Sequence, residues 1–154
     1  MSVRNITLAL AMLFVCFGLR AADDPVMGTW KLNVAKSKFT AAPPKSIIRK
    51  HEPTPNGIKV TSSTVAADGK PSHFEFTANF DGKYYAVTGG GNRNEMSLKR
   101  IDPYTVETMN KMGGKETTRS RWSVSKDGKT LSNKIDGTLA DGKPLHNIMV
   151  YDKQ

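Results

Sequence analysis

The sequence predicts an all-β protein, an antiparallel up-and-down β-barrel of about ten strands. Past Pro25, short stretches rich in β-branched and aromatic residues alternate with turn dipeptides. Asp-Gly or Asn-Gly pairs, which suit tight hairpins, begin at Asn56, Asp68, Asp81, Asp127, Asp136 and Asp141. No later stretch has a convincing helical period. A long meander of this kind exposes sheet edges unless it closes, so a closed barrel is expected.

The N-terminal segment is predicted to be a signal peptide. An apolar run from Ile6 to Leu19 follows Arg4, and it is shorter than a membrane-spanning helix requires. Cleavage is expected after Ala21, because cleavage after Ala22 would place Arg20 where the peptidase prefers a small or neutral residue. Residues 1–21 are therefore assigned to the signal and residues 22–154 to one domain, periplasmic or secreted.

The single cysteine, Cys16, lies inside the apolar run and would leave with the signal peptide. A lipoprotein signal would want small residues before the cysteine, whereas Phe14 and Val15 are bulky. The exported domain would then contain no disulfide. Its stability would come from its hydrophobic core, for which about 130 residues suffice.

The charge of the chain is basic but dispersed. Removal of Arg4 and Arg20 lowers the formal charge from +9 to +7. There is no dense basic run, so nucleic acid is not an expected partner. The surplus positive charge has two other interpretations. It forms a generally solvated basic surface, or it gives weak attraction to anionic membrane surfaces or acidic ligands. The oligomeric state is left open.

The strands can be placed in order between the turns. The predicted ranges are 27–34, 45–52, 57–66, 72–80, 83–88, 95–101, 104–111, 115–125, 129–138 and 145–152. Residues 35–45 have room for one helical turn before Pro43-Pro44 ends it. In the fourth strand Phe74, Phe76, Ala78 and Phe80 share one face, opposite His73, Glu75, Thr77 and Asn79.

The pentapeptide ADGKP occurs twice, at residues 67–71 and 140–144, and a histidine follows each copy one residue later. The residues beyond the two copies do not match. The sequence therefore favours one recurring hairpin turn, with proline at the start of the next strand, over a duplicated site.

Three short motifs resemble the calycin superfamily, which contains the lipocalins and the fatty-acid-binding proteins. Gly28-Thr29-Trp30-Lys31-Leu32 is similar to the G-x-W first strand, Lys115-Glu116-Thr117-Thr118 to a later hairpin, and residues 149–153 to the closing strand. The resemblance implies a ten-stranded barrel around a ligand cavity. It also implies that Arg121 points inward and holds the acidic group of a ligand. On this resemblance the chain is expected to be a small exported bacterial protein with a calycin-like barrel.

Three features depart from the fatty-acid-binding pattern. The segment between Val34 and Ser46 is too short for a helix-turn-helix lid, so the barrel is expected to lack one. Met149 stands where those proteins have a second arginine. They are also cytosolic, whereas this chain carries an export signal.

The direction of Arg121 is left open by the sequence. Alternation places Trp122 and Val124 on one face of the eighth strand and Arg121 on the other. If Trp122 points inward, Arg121 points to solvent unless a bulge intervenes.

Motifs of catalysis and metal binding are not found. His51, His73 and His146 lack the close spacing of a zinc site, and no G-x-S-x-G is present. Residues 89–93, GGGNR, have no following helix and suit a flexible hairpin better than an anion-binding loop. No catalytic residue, metal or cofactor is therefore expected.

These observations predict a non-catalytic, exported protein that binds a small hydrophobic or amphiphilic, lipid-like ligand, with anionic character matched to arginine. The candidate binding residues are Arg121, Tyr151, Phe74, Phe76 and Tyr85. One alternative is a barrel with a dry core that acts through its basic surface on envelope components or a protein. The other is a lipid-modifying enzyme, which would use Glu75, His73 or Tyr85.

Overall fold

A computed structural model describes residues 24–139 and 141–154, which form one closed antiparallel barrel. Each strand pairs with the next along the chain, and β1 pairs with β10 to close the barrel. The signal peptide predicted for residues 1–21 lies outside the described residues. The strands are β1 (Gly28–Leu32), β2 (Ser46–Thr54), β3 (Gly57–Val65), β4 (Pro71–Asn79), β5 (Asp81–Thr88), β6 (Glu95–Asp102), β7 (Thr105–Met112), β8 (Lys115–Val124), β9 (Thr130–Thr138) and β10 (Pro144–Lys153).

The predicted fold class and all ten predicted strands are confirmed, with every strand end within two residues of its expected place. The described residues contain no α-helix, and therefore no helical lid and no helix that could cross a membrane. Only a short 3₁₀ turn, Val34–Lys36, follows β1, and the Asn33 side chain caps it by accepting from the Lys36 amide at 3.1 Å. The chain then runs along β10 through a bridge from Lys38 to Ile148.

The same turn chemistry recurs at four Asp-Gly-Lys segments of the described chain, which explains the repeated pentapeptide. In each, an aspartate accepts a hydrogen bond from the amide of the lysine two residues later: Asp68 from Lys70 at 3.0 Å, Asp81 from Lys83 at 2.9 Å, Asp127 from Lys129 at 3.1 Å and Asp141 from Lys143 at 3.1 Å. The intervening glycines have positive φ. The interpretation as a recurring turn is confirmed for the described part of both copies; Ala140 lies outside it.

The Asp136-Gly137 pair is not a turn, contrary to its dipeptide signature. Both residues lie within β9, and Gly137 pairs with Thr118 and Leu145 on either side. A Cβ atom at Gly137 would lie 2.5 Å from the Thr117 carbonyl oxygen. Glycine is required here because two backbones approach closely, which is the other common reason for glycine in a strand.

Alternate residues of the strands build the core, as expected for a barrel. On β4, Phe76 and Ala78 are buried and lie opposite Val60 and Ile58 of β3. The predicted apolar face of β4 is thereby confirmed. It includes Phe74 and Phe80, which pack against this core while partly exposed.

One end of the barrel is closed by the chain that precedes β1. The carbonyl oxygen of Val26 accepts hydrogen bonds from the Trp30 indole at 3.1 Å and from the His51 ring at 2.9 Å. The His51 ring also stacks on Trp122, with ring centroids 5.2 Å apart. These three rings and Val26 fill the closed end with buried side chains.

An ion pair reinforces this closure. Asp24 accepts two hydrogen bonds from the Arg100 guanidinium, one of them at 3.1 Å. The same guanidinium lies 3.9 Å from the centroid of the Phe80 ring. Because both side chains of the ion pair are partly buried, it anchors residues 24–27 across the barrel end more firmly than a fully exposed pair could.

The wall of the barrel is weakest between β4 and β5. Only Glu75 with Thr88 and Phe76 with Val87 pair across this boundary, whereas nine pairs join β3 to β4. The two strands separate from this point towards the closed end.

Candidate ligand-binding site

A cavity of about 370 Å³ occupies the half of the barrel opposite the closed end. Its volume is within the range of sites for small organic ligands. It is lined by the loop between β5 and β6 and by the parts of β2–β4 and β6–β10 that lie away from the closed end. Its walls combine two arginines, a group of polar side chains and a group of apolar side chains.

Arg49 projects into the barrel from β2. It alternates with Ile48 and Lys50, which point outward, and only 7% of it is exposed. Its Nε atom is buried and has no hydrogen-bond partner in the described part of the chain. The guanidinium carbon lies 5.1 Å from the centroid of the Tyr151 ring and 5.8 Å from that of Phe74, so aromatic faces supply its neighbours.

Arg93 reaches the same region from the loop between β5 and β6. Its guanidinium carbon lies 4.8 Å from the centroid of the Phe74 ring. The fold of the loop requires Gly90, because a Cβ atom there would lie 2.3 Å from the Arg93 carbonyl oxygen. Burial, followed by repulsion from Arg49, lowers the pKa of Arg93 to about 10, so the side chain still carries its charge at neutral pH.

The two arginines have no acidic partner among the described residues. No aspartate or glutamate lines the cavity in the described part of the chain. Across residues 24–139 and 141–154, neither guanidinium forms an ion pair with a carboxylate. Buried cations are normally paired, because a low-dielectric surrounding disfavours an isolated charge. The cavity is therefore strongly suited to an anion.

Strands β7, β8 and β9 form the polar wall. Asn110 donates a hydrogen bond to the Thr118 hydroxyl at 2.6 Å, and the hydroxyls of Thr108 and Ser120 are 2.6 Å apart. Three further polar atoms are buried without a hydrogen-bond partner in residues 24–139 and 141–154: the Oδ1 atoms of Asn110 and Asn133 and the indole nitrogen of Trp122. This wall can therefore bind polar groups of a ligand.

The apolar wall faces it from β2, β3, β4 and β10. Phe74 and Phe76 stack with centroids 6.3 Å apart and planes 10° from parallel. Further apolar side chains line the same cavity: Ile47, Val60, Met96, Met149, Ile135 and Leu145. A ligand with an apolar body would bury that body here.

Three of the candidate binding residues predicted from the sequence lie inside the barrel. Phe74 and Phe76 line the cavity. Tyr151 is fully buried beneath Arg49, and its hydroxyl donates a long hydrogen bond, 3.9 Å, to the Met149 sulfur. Burial raises the pKa of Tyr151, so the residue is uncharged.

Tyr85 is placed differently. Its ring packs against the core, but its hydroxyl donates to Asp81 at 2.9 Å, at the exposed end of β5. The burial of the ring and its hydrogen bond to Asp81 raise the pKa of Tyr85. The residue lies beside the break between β4 and β5 and does not line the cavity.

Arg121 lies on the outer surface, which corrects the interior position implied by the resemblance. More than half of its side chain is exposed, and it forms an ion pair with Glu107 of the neighbouring strand. The bulge between β7 and β8 lies at Asn110 and Lys111 and leaves the alternation around Arg121 unchanged. Trp122 points inward, and because the two residues lie on opposite faces of β8, Arg121 points outward.

The residues named for the enzyme alternative are dispersed. Glu75 lies on the outer face, 3.7 Å from Lys59, and His73 is exposed at the cavity mouth near Ser63. The described residues contain no group of three or more histidine, cysteine or acidic side chains that could hold a metal ion.

Sequence reasoning missed both interior arginines. In β2 each face contains an isoleucine, Ile47 or Ile48, so alternation could not decide which face is internal. Arg93 lies in a loop and has no periodicity to reveal its direction. The usable signal was the run of three glycines before it, which lets the loop fold closely over the barrel.

Comparison with family models and with curated proteins gives no match for this sequence. Among solved structures, the chain is similar to zebrafish ileal bile acid-binding protein in complex with cholic acid, with a TM-score of 0.50 and 11% identity over 84% of this chain and 99% of that one. It also matches a siderocalin, Ex-FABP, described as having dual ligand specificities, with a TM-score of 0.41 and 11% identity over 84% of this chain and 74% of that one. At this identity the first likeness establishes architecture alone. The protein therefore has a calycin fold, the closed ten-stranded barrel that the fatty-acid- and bile-acid-binding proteins share.

Proposed function

We propose that the protein binds a small amphiphilic anion inside its barrel, without covalent chemistry, in an extracytoplasmic compartment. The observation that carries this proposal is the pair of interior arginines, Arg49 and Arg93, which have no carboxylate partner among the described residues.

The electrostatic support comes from the cost of leaving these charges unpaired. Arg49 is almost fully buried, and its contacts with two aromatic rings replace only part of its hydration. A carboxylate, sulfate or phosphate could accept hydrogen bonds from both guanidiniums and offset their charge. Such an arrangement is unfavourable for stability alone but favourable for binding an anion.

The amphiphilic character follows from the two walls. The aromatic rings of Phe74 and Phe76 would cover the apolar body of a ligand, and the unpaired Asn110 and Asn133 oxygens would accept from its hydroxyl or amide groups. The zebrafish protein of the same fold is complexed with cholic acid, an amphiphilic anion, which is consistent with this class of ligand.

The central test is Arg49→Met, with Arg121→Met as the matched control. The probe is 1-anilinonaphthalene-8-sulfonate, an anionic aromatic compound whose fluorescence rises in apolar sites. We expect Arg49→Met to weaken its binding at least tenfold, since the variant loses a charge-assisted hydrogen bond of about 1.5–3 kcal/mol. Arg121→Met should bind as the wild type does, because Arg121 is outside the barrel.

Thermal unfolding of the apo proteins provides the control for folding. Methionine fills a similar volume to arginine without a buried charge, so Arg49→Met should be at least as stable as the wild type. Equal probe affinities in wild type and Arg49→Met would contradict the proposal. Absence of probe binding by a folded wild-type protein would instead favour the dry-core interaction module.

Export is the part of the proposal that rests on the sequence pattern of residues 1–21. The intact mass of the protein recovered from an exporting host should correspond to a chain that begins at Ala22. A mass that includes Met1 would contradict export by signal-peptide cleavage. Native mass spectrometry of the same sample, followed by denaturing extraction, would reveal a bound ligand as a stoichiometric added mass.

A further inference from the structure

We propose that the interior site is selective for a doubly charged head group of the phosphate-monoester type, attached to an apolar body. This inference rests on the proposed function and adds the charge and shape of the head group.

The charge of the site is the first argument. Two guanidinium groups, each with a fixed positive charge, face a cavity without a lining carboxylate in the described residues. A monoanion would offset one positive charge and leave the second unpaired in a partly dry site. A dianion would offset both, so the second negative charge should increase affinity.

The geometry is the second argument. The guanidinium carbons of Arg49 and Arg93 lie 5.8 and 4.8 Å from the centroid of the same ring, Phe74. Both guanidiniums therefore lie near the same aromatic side chain of the cavity, although they come from β2 and from the loop between β5 and β6. A phosphate monoester has three terminal oxygens on one centre, enough for hydrogen bonds to two guanidiniums at once. The Nε atoms of both arginines are buried donors without a partner among the described residues.

The two buried titratable groups near the arginines carry no charge at neutral pH. Tyr151 is uncharged, and His51, deeper in β2, remains neutral because burial lowers its pKa to about 3. His73 on β4, at the mouth, is the remaining titratable side chain among the described residues that line the cavity.

Isothermal titration calorimetry with octyl phosphate and octyl sulfate tests the inference. The two probes have the same chain and a tetrahedral head, but only the phosphate gains a second charge, with a pKa of about 6. Between pH 5 and pH 8 the affinity for octyl phosphate should rise about tenfold, the increase in its dianion fraction. The affinity for octyl sulfate should change by less than about twofold. The same titrations with His73→Gln, which removes the histidine at the cavity mouth, separate the charge of the probe from that of the protein: the rise for octyl phosphate should persist in this variant, and its absence there would overturn the inference.

The second arginine is tested by Arg93→Met. This variant should bind octyl phosphate at pH 8 at least tenfold more weakly than wild type, and should no longer prefer it over octyl sulfate. Inorganic phosphate should bind wild type at least about a hundredfold more weakly than octyl phosphate, because it lacks the chain that the apolar wall buries. Equal affinity for the two phosphates would overturn the amphiphilic part of the inference.

The outcomes separate this inference from the proposed function. If wild type binds both octyl probes but prefers neither at pH 8, selectivity for a dianion is wrong and the anion site stands. If wild type binds neither, the anion site itself is wrong, and this inference is wrong with it.

Discussion

Replacing Trp30 with alanine is expected to lower the free energy of unfolding by about 3–5 kcal/mol, the usual cost of truncating a fully buried tryptophan. The Trp30 side chain has no solvent exposure, and its indole nitrogen donates to the Val26 carbonyl at 3.1 Å. Its loss would leave a large space beneath residues 24–27. We expect the closed end of the barrel to loosen, since the same carbonyl also positions His51.

Urea unfolding of wild type, Trp30→Phe and Trp30→Ala would measure this effect. Trp30→Phe should lose about 1–2 kcal/mol, because it keeps most of the ring contacts but no indole donor. Ile48→Ala is the surface control: 47% of this side chain is exposed, and its truncation should cost less than about 1 kcal/mol. Similar losses for Trp30→Ala and Ile48→Ala would show that the tryptophan does not hold the barrel end.

The second large effect is a loss of stability in mild acid caused by His51. The ring is buried, with 2% exposure, and burial lowers its pKa from 6.5 to about 3. In the unfolded chain the same side chain takes up a proton near pH 6.5, whereas the folded protein keeps it neutral. The contribution of neutral His51 to the free energy of unfolding is therefore fully present above pH 6.5. It is lost progressively as the pH falls towards 3.

The size of the effect follows from proton linkage. At pH 5 the preferential protonation of the unfolded chain should cost about 2 kcal/mol. Between pH 7.5 and pH 5 this contribution is well separated from those of most carboxylates, whose ordinary pKa values are about 4.

His51→Phe tests this assignment, since phenylalanine retains an aromatic ring against Trp122 but has no titrating group. Its free energy of unfolding, measured in urea, should change by less than about 0.5 kcal/mol between pH 7.5 and pH 5 once the titrating group is gone. The exposed histidines supply matched controls: His73→Gln and His146→Gln should lose as much free energy of unfolding between pH 7.5 and pH 5 as the wild type does. An equally large loss of stability in His51→Phe would assign the effect to other residues.

Particular residues show where sequence reasoning succeeded in the site. Phe74 and Phe76 were placed inside because β4 alternates without ambiguity. Alternation in β8 also put Trp122 and Arg121 on opposite faces, so the inward position of Trp122 in the structure requires Arg121 to point outward. The inward position of Arg121 was implied by a resemblance between short motifs. Such motifs do not fix the strand register, which decides the face on which a residue lies.

The arginines that do enter the barrel illustrate the opposite case. Arg49 stands in a strand whose two faces both contain isoleucine and charged residues, so a charged side chain there looked solvated. Arg93 is brought to Phe74 by a loop that joins strands far from β2 in the sequence. The juxtaposition of these two positive charges has no local signal.

The sequence by itself determined the strand order, most of the turns and the closure into a ten-stranded barrel, because hydrophobic alternation and Asp-Gly turns depend on residues that are close together in the chain. It also determined that the chain had no room for a helical lid. Only the tertiary structure decided which charged residues lie inside. That choice depends on strand register around the whole barrel and on how the loop after Thr88 folds over its end, and both are set by contacts between residues distant in the chain.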